Sequence, residues 1–414
     1  MNETKLRVTI LGLHYTPEPS GNAPYTTSLA EGLSKKGHAV KVVTGYPHYP
    51  EWTVNHDYKG WVLRESLNGV DVKRLRHYVP RRPSALGRLH MELSFGIRLL
   101  FAKWGKPDIV ILVSPALFST GLALIRARWA KRETRTIIWV QDIYSRGIVE
   151  TGGQSGTASK LMVVIEGKLL GSVDRVVAIH ERFAGYLADG LGVSADSIHV
   201  IRNWTHLPPA PDADRSTARQ HFGWNERDIV ALHTGNMGKK QGLGNVVEAA
   251  RLAEVNGSRV RFVLMGDGNQ RTALESDAQD LQRLDFIDSL PQEDFQAALQ
   301  AADVLLVNEL PGVRDMSVPS KLTSYFTSGR PVVAATDAGS VTSEEVAASG
   351  AGIRVDADDP ASLVSTIESL GNDESLSKKL GDNGKRFREE TLSETVAIGR
   401  YDDLITSLAL SRGR

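Results

Sequence analysis

The chain has no cysteine, which excludes disulfides and thiolate catalysis and leaves the redox compartment open. It has no net charge either. Its 49 basic and 49 acidic residues cancel, which argues against a nucleic-acid partner held by excess positive charge. No run approaches the roughly 20 apolar residues of a membrane span. The N-terminus leads into a strand-like stretch without a signal-peptide core, so a cytoplasmic protein is the expectation. Also missing are the G-x-G-x-x-G turn of dinucleotide folds, the G-K-S/T ending of a P-loop and a convincing Asp-x-Asp metal site. The acidic run Asp356-Ala357-Asp358-Asp359 reads instead as a strand end and a helix cap.

What the chain does have is 414 residues, 41% of them hydrophobic and 24% charged, too many for one ordinary core and enough for two soluble domains. Strand-like runs fall at 7–13, 39–44, 70–75, 108–113, 135–140, 174–179 and 197–201. They resume at 229–235, 260–266, 284–287, 303–308, 331–335 and 352–355, with helix-period segments between them. Strands alternating with helices imply parallel sheets with right-handed crossovers. One sheet of about thirteen strands would be unusually wide, so two sheets of six or seven are expected.

The break should fall in the polar, proline-bearing stretch 203–224. The expected fold class is therefore α/β, two Rossmann-like parallel-sheet domains facing across a cleft. The expected divisions are 1–205, 206–393, and a last helix within 394–414 that crosses back to the first domain. Ligands of such sheets bind beyond the carboxyl ends of the strands.

Several loops sit at such ends. After the first strand come Pro17, Pro19, Ser20, Gly21 and Asn22, with Pro24 suited to the first turn of a helix that Gly37 stops. That helix start could bind an anion, or the loop could be a structural turn. At the start of the second half, Gly235, Gly238, Gly242 and Gly244 surround Lys239 and Lys240, a phosphate-binding pattern or a solvated loop. Gly266-Asp267-Gly268 ends the next strand, a turn type that is more often structural. Ser320 is a candidate helix cap, and Lys321 lies in the first helical turn, against the helix dipole by roughly 0.3–1 kcal/mol. Either an anion offsets that cost or the lysine snorkels to solvent. Asp142 follows the apolar strand Thr136–Val140. His14, His48 and His180 also follow strands, and of these His14 and His180 are expected to line the site.

Taken together these pieces resemble the GT-B retaining glycosyltransferases of family 4, and more closely their bacterial polysaccharide branch of colanic-acid and fucosamine transferases. The matching residues are Y-x-P-E-x-x-G (15–21) with Leu29, Leu33, Gly37, His38 and Val40, then YPHYPEW (46–52), VQDIY (140–144) and IRNW (201–204). GNMGKKQGL (235–243), GDG (266–268) and PSKLTSYFTSGRPVV (319–333) follow in the family's order.

The resemblance implies a UDP- or GDP-sugar donor held mainly by the second domain, with no further cofactor and no metal. It implies a saccharide acceptor on the first domain, polyprenol-linked in this branch. Catalysis would rest on Asp142, Lys239 and Lys240. Donor contacts would come from Gly21, Asn22, Gly235, Asn236, Gln241, Gly266, Asp267, Leu290, Arg314, Pro319, Ser320, Lys321 and Ser324. Helix N-termini and lysines would neutralise the leaving diphosphate.

Two departures stand out. Asn236 and Gln241 occupy places where many members have arginine and lysine, and the family's E-x7-E glutamates would fall at Met316 and Ser324. A nucleotide-sugar 2-epimerase and a non-catalytic nucleotide-sugar-binding partner of an assembly complex are the alternatives. Finally, 80–106 combines arginines and lysines with leucines and phenylalanines. It reads as a helix lying on the inner membrane face or as a core helix with snorkelling cations.

Overall fold

The computed structural model describes residues 5–19, 21–82, 84–129, 134–145, 157–205, 207, 214–313 and 320–411, with the side chains of 157–159 and 320 left aside. The chain divides into two compact units, Met1–Trp204 with Glu394–Arg414, and Thr205–Ser393.

The first unit is built on strands β1 (Arg7–Leu11), β2 (Ala39–Gly45), β3 (Val62–Leu67), β4 (Val70–Leu75), β5 (Ile109–Val113), β6 (Arg135–Val140), β7 (Arg175–Ala178) and β8 (Ile198–Val200). Their order in the sheet is β3-β4-β2-β1-β5-β6-β7-β8. Seven of the eight strands form parallel pairs, and β3 alone runs antiparallel, against β4. The central strands are apolar on both faces, as in β5, where all of Ile-Val-Ile-Leu-Val is buried under helices. The sheet thus has eight strands where six or seven were expected. The strand not foreseen, β3, is an edge strand with half of its residues in water, so it lacks an apolar run. Its turn was nonetheless legible: Asn68 and Gly69 both take positive φ (49° and 83°), the Asn-Gly hairpin that joins β3 to β4.

The second unit holds β9 (Ile229–Thr234), β10 (Val260–Met265), β11 (Leu284–Ile287), β12 (Val304–Asn308), β13 (Val332–Ala335) and β14 (Gly352–Val355), all parallel, in the order β11-β10-β9-β12-β13-β14. Alternate residues feed separate cores on its two faces: Ala231, Phe262 and Leu306 on one, Val230, Leu232 and Leu305 on the other. Each of the larger side chains among these contributes roughly 1.5–3 kcal/mol by burial.

In each sheet the chain winds outward in both directions from one seam, between β1 and β5 in the first unit and between β9 and β12 in the second. At such a seam the loops leave to opposite faces and open a crevice at the carboxyl ends of the strands.

The helix Glu394–Leu410 belongs to the first unit and buries Ala397, Ile398, Tyr401, Leu404, Ile405 and Leu408 along one face. Gly32 admits it, since a Cβ there would lie 2.1 Å from Ile398 Cδ1. His38 Nε2 is 2.7 Å from Asp402 Oδ1, and the Tyr401 ring lies 5.3 Å from that of Trp139.

The expected linker 203–224 is largely structured. Trp204 is fully buried against Trp139, their rings 5.8 Å apart, and donates to Ser28 Oγ at 2.8 Å. Asp214 caps the helix Arg215–His221, and Trp224 is core. Polar residues around the prolines hid these two tryptophans; 206 and 208–213 lie outside the described residues.

Candidate active site

The seam of the second unit carries the glycine-lysine loop. Gly235 follows β9 with φ 98° and Gly266 follows β10 with φ 134°, and a Cβ on Gly266 would lie 2.1 Å from the Gly235 carbonyl oxygen. The two turns therefore touch backbone to backbone, which only glycine permits. Met237 N donates to the Asp267 carbonyl at 2.8 Å and Gln270 N to the Met237 carbonyl at 3.0 Å, which locks the turns together. Lys239–Gln241 then forms one 3-10 turn, with the Gln241 side chain accepting from Gly238 N at 3.1 Å.

The far wall of the seam fixes this turn. Leu310 N donates to the Lys240 carbonyl at 2.8 Å, and Asn308 Nδ2 reaches the carbonyls of Gln241 (2.8 Å) and Gly242 (3.0 Å). Asn308 is in turn held by Asn245 at 2.8 Å. Loops after β9 and β12 are thus clamped across the point where the sheet reverses. Lys239 is exposed on this turn and Lys240 is half-buried.

Lys321, in the helix Ser320–Ser328, does not snorkel. Its Nζ is 3.1 Å from Nε2 of the fully buried His233, two residues before Gly235. Burial lowers the Lys321 ammonium to about 7 against the opposing pull of the Glu309 charge. Burial and the Lys321 charge hold His233 neutral. Glu309, just after β12, accepts from Thr336 Oγ1 at 2.5 Å and Thr342 Oγ1 at 2.6 Å. Burial raises its carboxyl even so. His233 and Glu309 were not singled out from the sequence. The available signal was position alone, a titratable group at the carboxyl end of a central strand.

The other expected donor residues divide. Asp267 is exposed, and its side chain accepts from the adjacent Gly268 N at 2.7 Å, so it shapes its own turn. Asn236 is exposed beside Gly235, Leu290 packs at the margin of a core, and Ser324 is half-buried. Arg314, Met316 and Pro319 lie outside the described residues, as does the side chain of Ser320.

In the first unit the seam joins the loops after β1 and β5. Gly21 has φ 67°, and Asn22 Nδ2 donates to the Ser114 carbonyl at 3.2 Å, bridging the two loops. Asn22 precedes the helix Ala23–Lys35 without a side-chain cap bond, and Pro24 lies in its first turn. Asp142 is exposed after β6, and its carbonyl accepts from Ser114 Oγ at 3.4 Å. Beside Gly21 stands a polar cluster of His14, Glu18 and His48, whose ligand-type atoms lie within 4.8 Å of one another. His180, expected to line the site, is instead a buried helix cap whose Nδ1 accepts from Arg182 N at 3.1 Å.

The segment 80–106 is the helix Ala85–Phe101 with flanking loops, and its apolar residues serve two purposes. Met91, Phe95 and Leu99 are core, as is Trp104 beyond the helix, whereas Leu86, Leu93, Ile97 and Phe101 form an exposed stripe, with Phe101 84% exposed. No helix among the described residues is long and apolar enough to cross a membrane.

Comparison with known proteins agrees with both units. Residues 20–204 match the "Glycosyl transferase 4-like domain" model and residues 214–387 the "Glycosyl transferases group 1" model. The chain is 31% identical over 341 residues to WcaI of Escherichia coli (strain K12), a glycosyl transferase assigned to colanic acid biosynthesis. That match covers 78% of this chain and 82% of the relative. Among solved structures, sucrose-phosphate synthase from Thermosynechococcus elongatus superimposes with a TM-score of 0.75 at 16% identity, covering 98% of this chain and 100% of that one. Anabaena HepE in complex with UDP-glucose superimposes with a TM-score of 0.68 at 16% identity, covering 97% of this chain and 100% of that one. With two doubly wound units, a glycine-lysine loop at the second seam and a relative of this similarity over most of its length, the chain belongs to the family 4 glycosyltransferases of GT-B fold.

Proposed function

We propose that the protein transfers a sugar, with retention at the anomeric carbon and without a divalent metal, from a nucleoside diphosphate sugar to a saccharide acceptor in polysaccharide synthesis. The observation that carries this reading is the clamped turn Lys239–Gln241 between Gly235 and Leu310. It places two lysines at the seam of a doubly wound sheet, where an anion is favoured. Lys239 and Lys240 would stabilise the charge that develops on the diphosphate as the sugar leaves, with Lys321 behind them and Asp142 on the acceptor side. HepE binds UDP and UDP-glucose, and UDP is therefore the first nucleotide to try.

A thermal-shift screen of UDP- and GDP-sugars tests the donor, and no shift with any of them would remove the reading. Lys240→Ala should then lower turnover at least tenfold, about 1.4 kcal/mol of transition-state stabilisation. Turnover without any acceptor would favour the epimerase.

The acceptor is proposed to be lipid-linked and met at an anionic membrane surface. The exposed stripe Leu86, Leu93, Ile97 and Phe101 would enter the interface while Arg81, Arg82 and Arg88, all exposed, meet headgroups. Sedimentation with phosphatidylglycerol vesicles should be lost when these three arginines are replaced by glutamate. Unchanged sedimentation would refute the membrane contact.

A further inference from the structure

The loop after β2, YPHYPEW (46–52), ends on a tryptophan whose backbone is unusual for so large a side chain. Trp52 has φ 54°, in the left-handed region that bulky residues avoid. Such backbone persists only where surrounding contacts over-determine it, and it gathers at ligand clamps. Thr53 N donates to the His48 carbonyl at 3.2 Å and closes the turn. The Trp52 ring meets those of His48 and Tyr49 edge-on, with centroids 6.1 and 6.0 Å away. One oxygen of the buried Glu18 carboxylate accepts from His48 N at 2.8 Å and Tyr49 N at 3.0 Å, which ties this turn to the loop after β1. The other lies 2.7 Å from His14 Nδ1. A Cβ on Gly21 would meet Tyr49 at 3.8 Å, so Trp52 stands one ring back from the seam crevice of the first unit.

Core packing does not account for this ring. Trp52 is partly exposed, and its indole N–H makes no hydrogen bond among the described residues. It is not among the buried, partnerless polar atoms either, so it reaches solvent. Arg88 of the helix Ala85–Phe101 reaches across to it, with Cζ 5.4 Å from the ring centroid, within cation–π range. Arg88 is exposed, and its guanidinium makes no hydrogen bond or ion pair among the described residues. All five of its N–H donors are therefore unspent. Arg81, Arg82 and Arg98 add positive charge along the same stretch, 80–100, whose one acid, Glu92, is buried.

A fixed ring with an open N–H beside an unspent guanidinium suits one kind of ligand, a sugar that carries an anion on its next atom. The C–H face of a pyranose lies against an indole, and a guanidinium takes two oxygens of a phosphate at once. We propose that Trp52 and Arg88 form the acceptor subsite and that the acceptor they take is a glycosyl phosphate ester. The inference rests on the glycosyl-transfer reading above and names the acceptor class for it. Trp52 holds the sugar ring, and Arg88 holds the phosphate that joins this ring to its lipid. The rigid turn keeps the ring in register with the crevice, and the arginine selects an anionic acceptor over a neutral saccharide. A membrane headgroup carries the same phosphate, but it would leave the strained, fixed indole without a partner, which favours the sugar.

The test measures binding to the full chain and needs no donor. Its soluble probes share an octyl tail: the octyl diesters of glucose, galactose and N-acetylglucosamine 1-phosphate, octyl glucoside without the phosphate, and octyl glycerol phosphate without the ring. By calorimetry the best diester should bind at least about tenfold more tightly than either control. It should also shift the Trp52 indole 15N–1H signal, which is assigned by its loss in Trp52→Phe. Trp52→Ala should weaken that diester by about tenfold or more, and Trp52→Phe by less than about threefold. Arg88→Gln, at an exposed position, should bring the diester down to the affinity of octyl glucoside. The Kd for UDP should stay unchanged in all three variants. An indole signal unmoved by every diester, or Arg88→Gln protein that binds the diester as wild type does, would overturn the proposal. So would equal binding of octyl glycerol phosphate, which would assign the pair to a lipid headgroup. Failure of the donor reading is distinguishable, because no UDP- or GDP-sugar would then give a thermal shift while these titrations still report.

Discussion

The two units repeat one architecture and furnish it with different side chains. Each has a seam where its sheet reverses, with a loop from the first central strand tied to a loop across the seam. The tie is Asn22 to Ser114 in the first unit and Leu310 and Asn308 to the Lys240–Gly242 carbonyls in the second. In the second unit the loop is glycine and lysine, and its turns press main chain against main chain. In the first unit the loop carries Glu18, His14 and neighbouring aromatic rings, and a buried carboxylate does the fastening. The proposed transfer needs both, a place for the acceptor hydroxyl and a place for the leaving diphosphate.

The sharpest way to break this contrast is to put a methyl group on the seam glycine of each unit. In Gly266→Ala the new Cβ would lie 2.1 Å from the Gly235 carbonyl, which must move, and φ 134° is strained for any L side chain. A loss of about 3–5 kcal/mol is expected, with donor binding abolished. In Gly21→Ala the nearest atom is Tyr49 Cε1 at 3.8 Å, and only the left-handed φ of 67° resists. About 1 kcal/mol is expected there, with a smaller loss of UDP affinity than in Gly266→Ala. Urea unfolding with parallel UDP titration measures both. Equal losses would show that the backbone-to-backbone contact does not distinguish the seams.

Much of this was legible in the sequence, for physical reasons that differ by region. Central strands such as Ile109–Val113 are apolar on both faces and announce themselves, whereas the half-wet edge strand Val62–Leu67 does not. The loops at both seams were found because glycine and proline mark them. The side chains that work behind those loops were not found. Glu18 appeared only as a motif letter, yet its partners are His14, four residues away, and the amides of His48 and Tyr49, some 30 residues away; no local pattern encodes that. His233 was concealed by lying inside an apolar strand, 88 residues from Lys321. Lys321 was read as a first-turn lysine set against the helix dipole, but its inward direction depends on that distant imidazole. Trp204 and Trp224 were mistaken for linker because polar neighbours mask a buried ring.

The smallest effect is the one that reports on the second seam without disturbing it. With its ammonium lowered to about 7 by burial, facing His233 and Glu309, Lys321 is close to half-protonated at neutral pH when no donor is bound. A nearby diphosphate favours the charged form and raises that pKa, so binding takes up a proton wherever the free protein has lost it. Below about pH 7 the proton is already present and affinity is flat in this respect. As pH rises above 7 each binding event must recruit one, and the Kd for UDP should climb, by at most tenfold per pH unit, until the bound-state pKa is reached. Calorimetry between pH 7 and 9 in two buffers of different ionisation enthalpy would show the uptake directly. Lys321→Met should bind more weakly and lose this slope, whereas His14→Gln, in the other unit, should keep it. A slope that survived in Lys321→Met would place the titrating group elsewhere and detach Lys321 from the diphosphate.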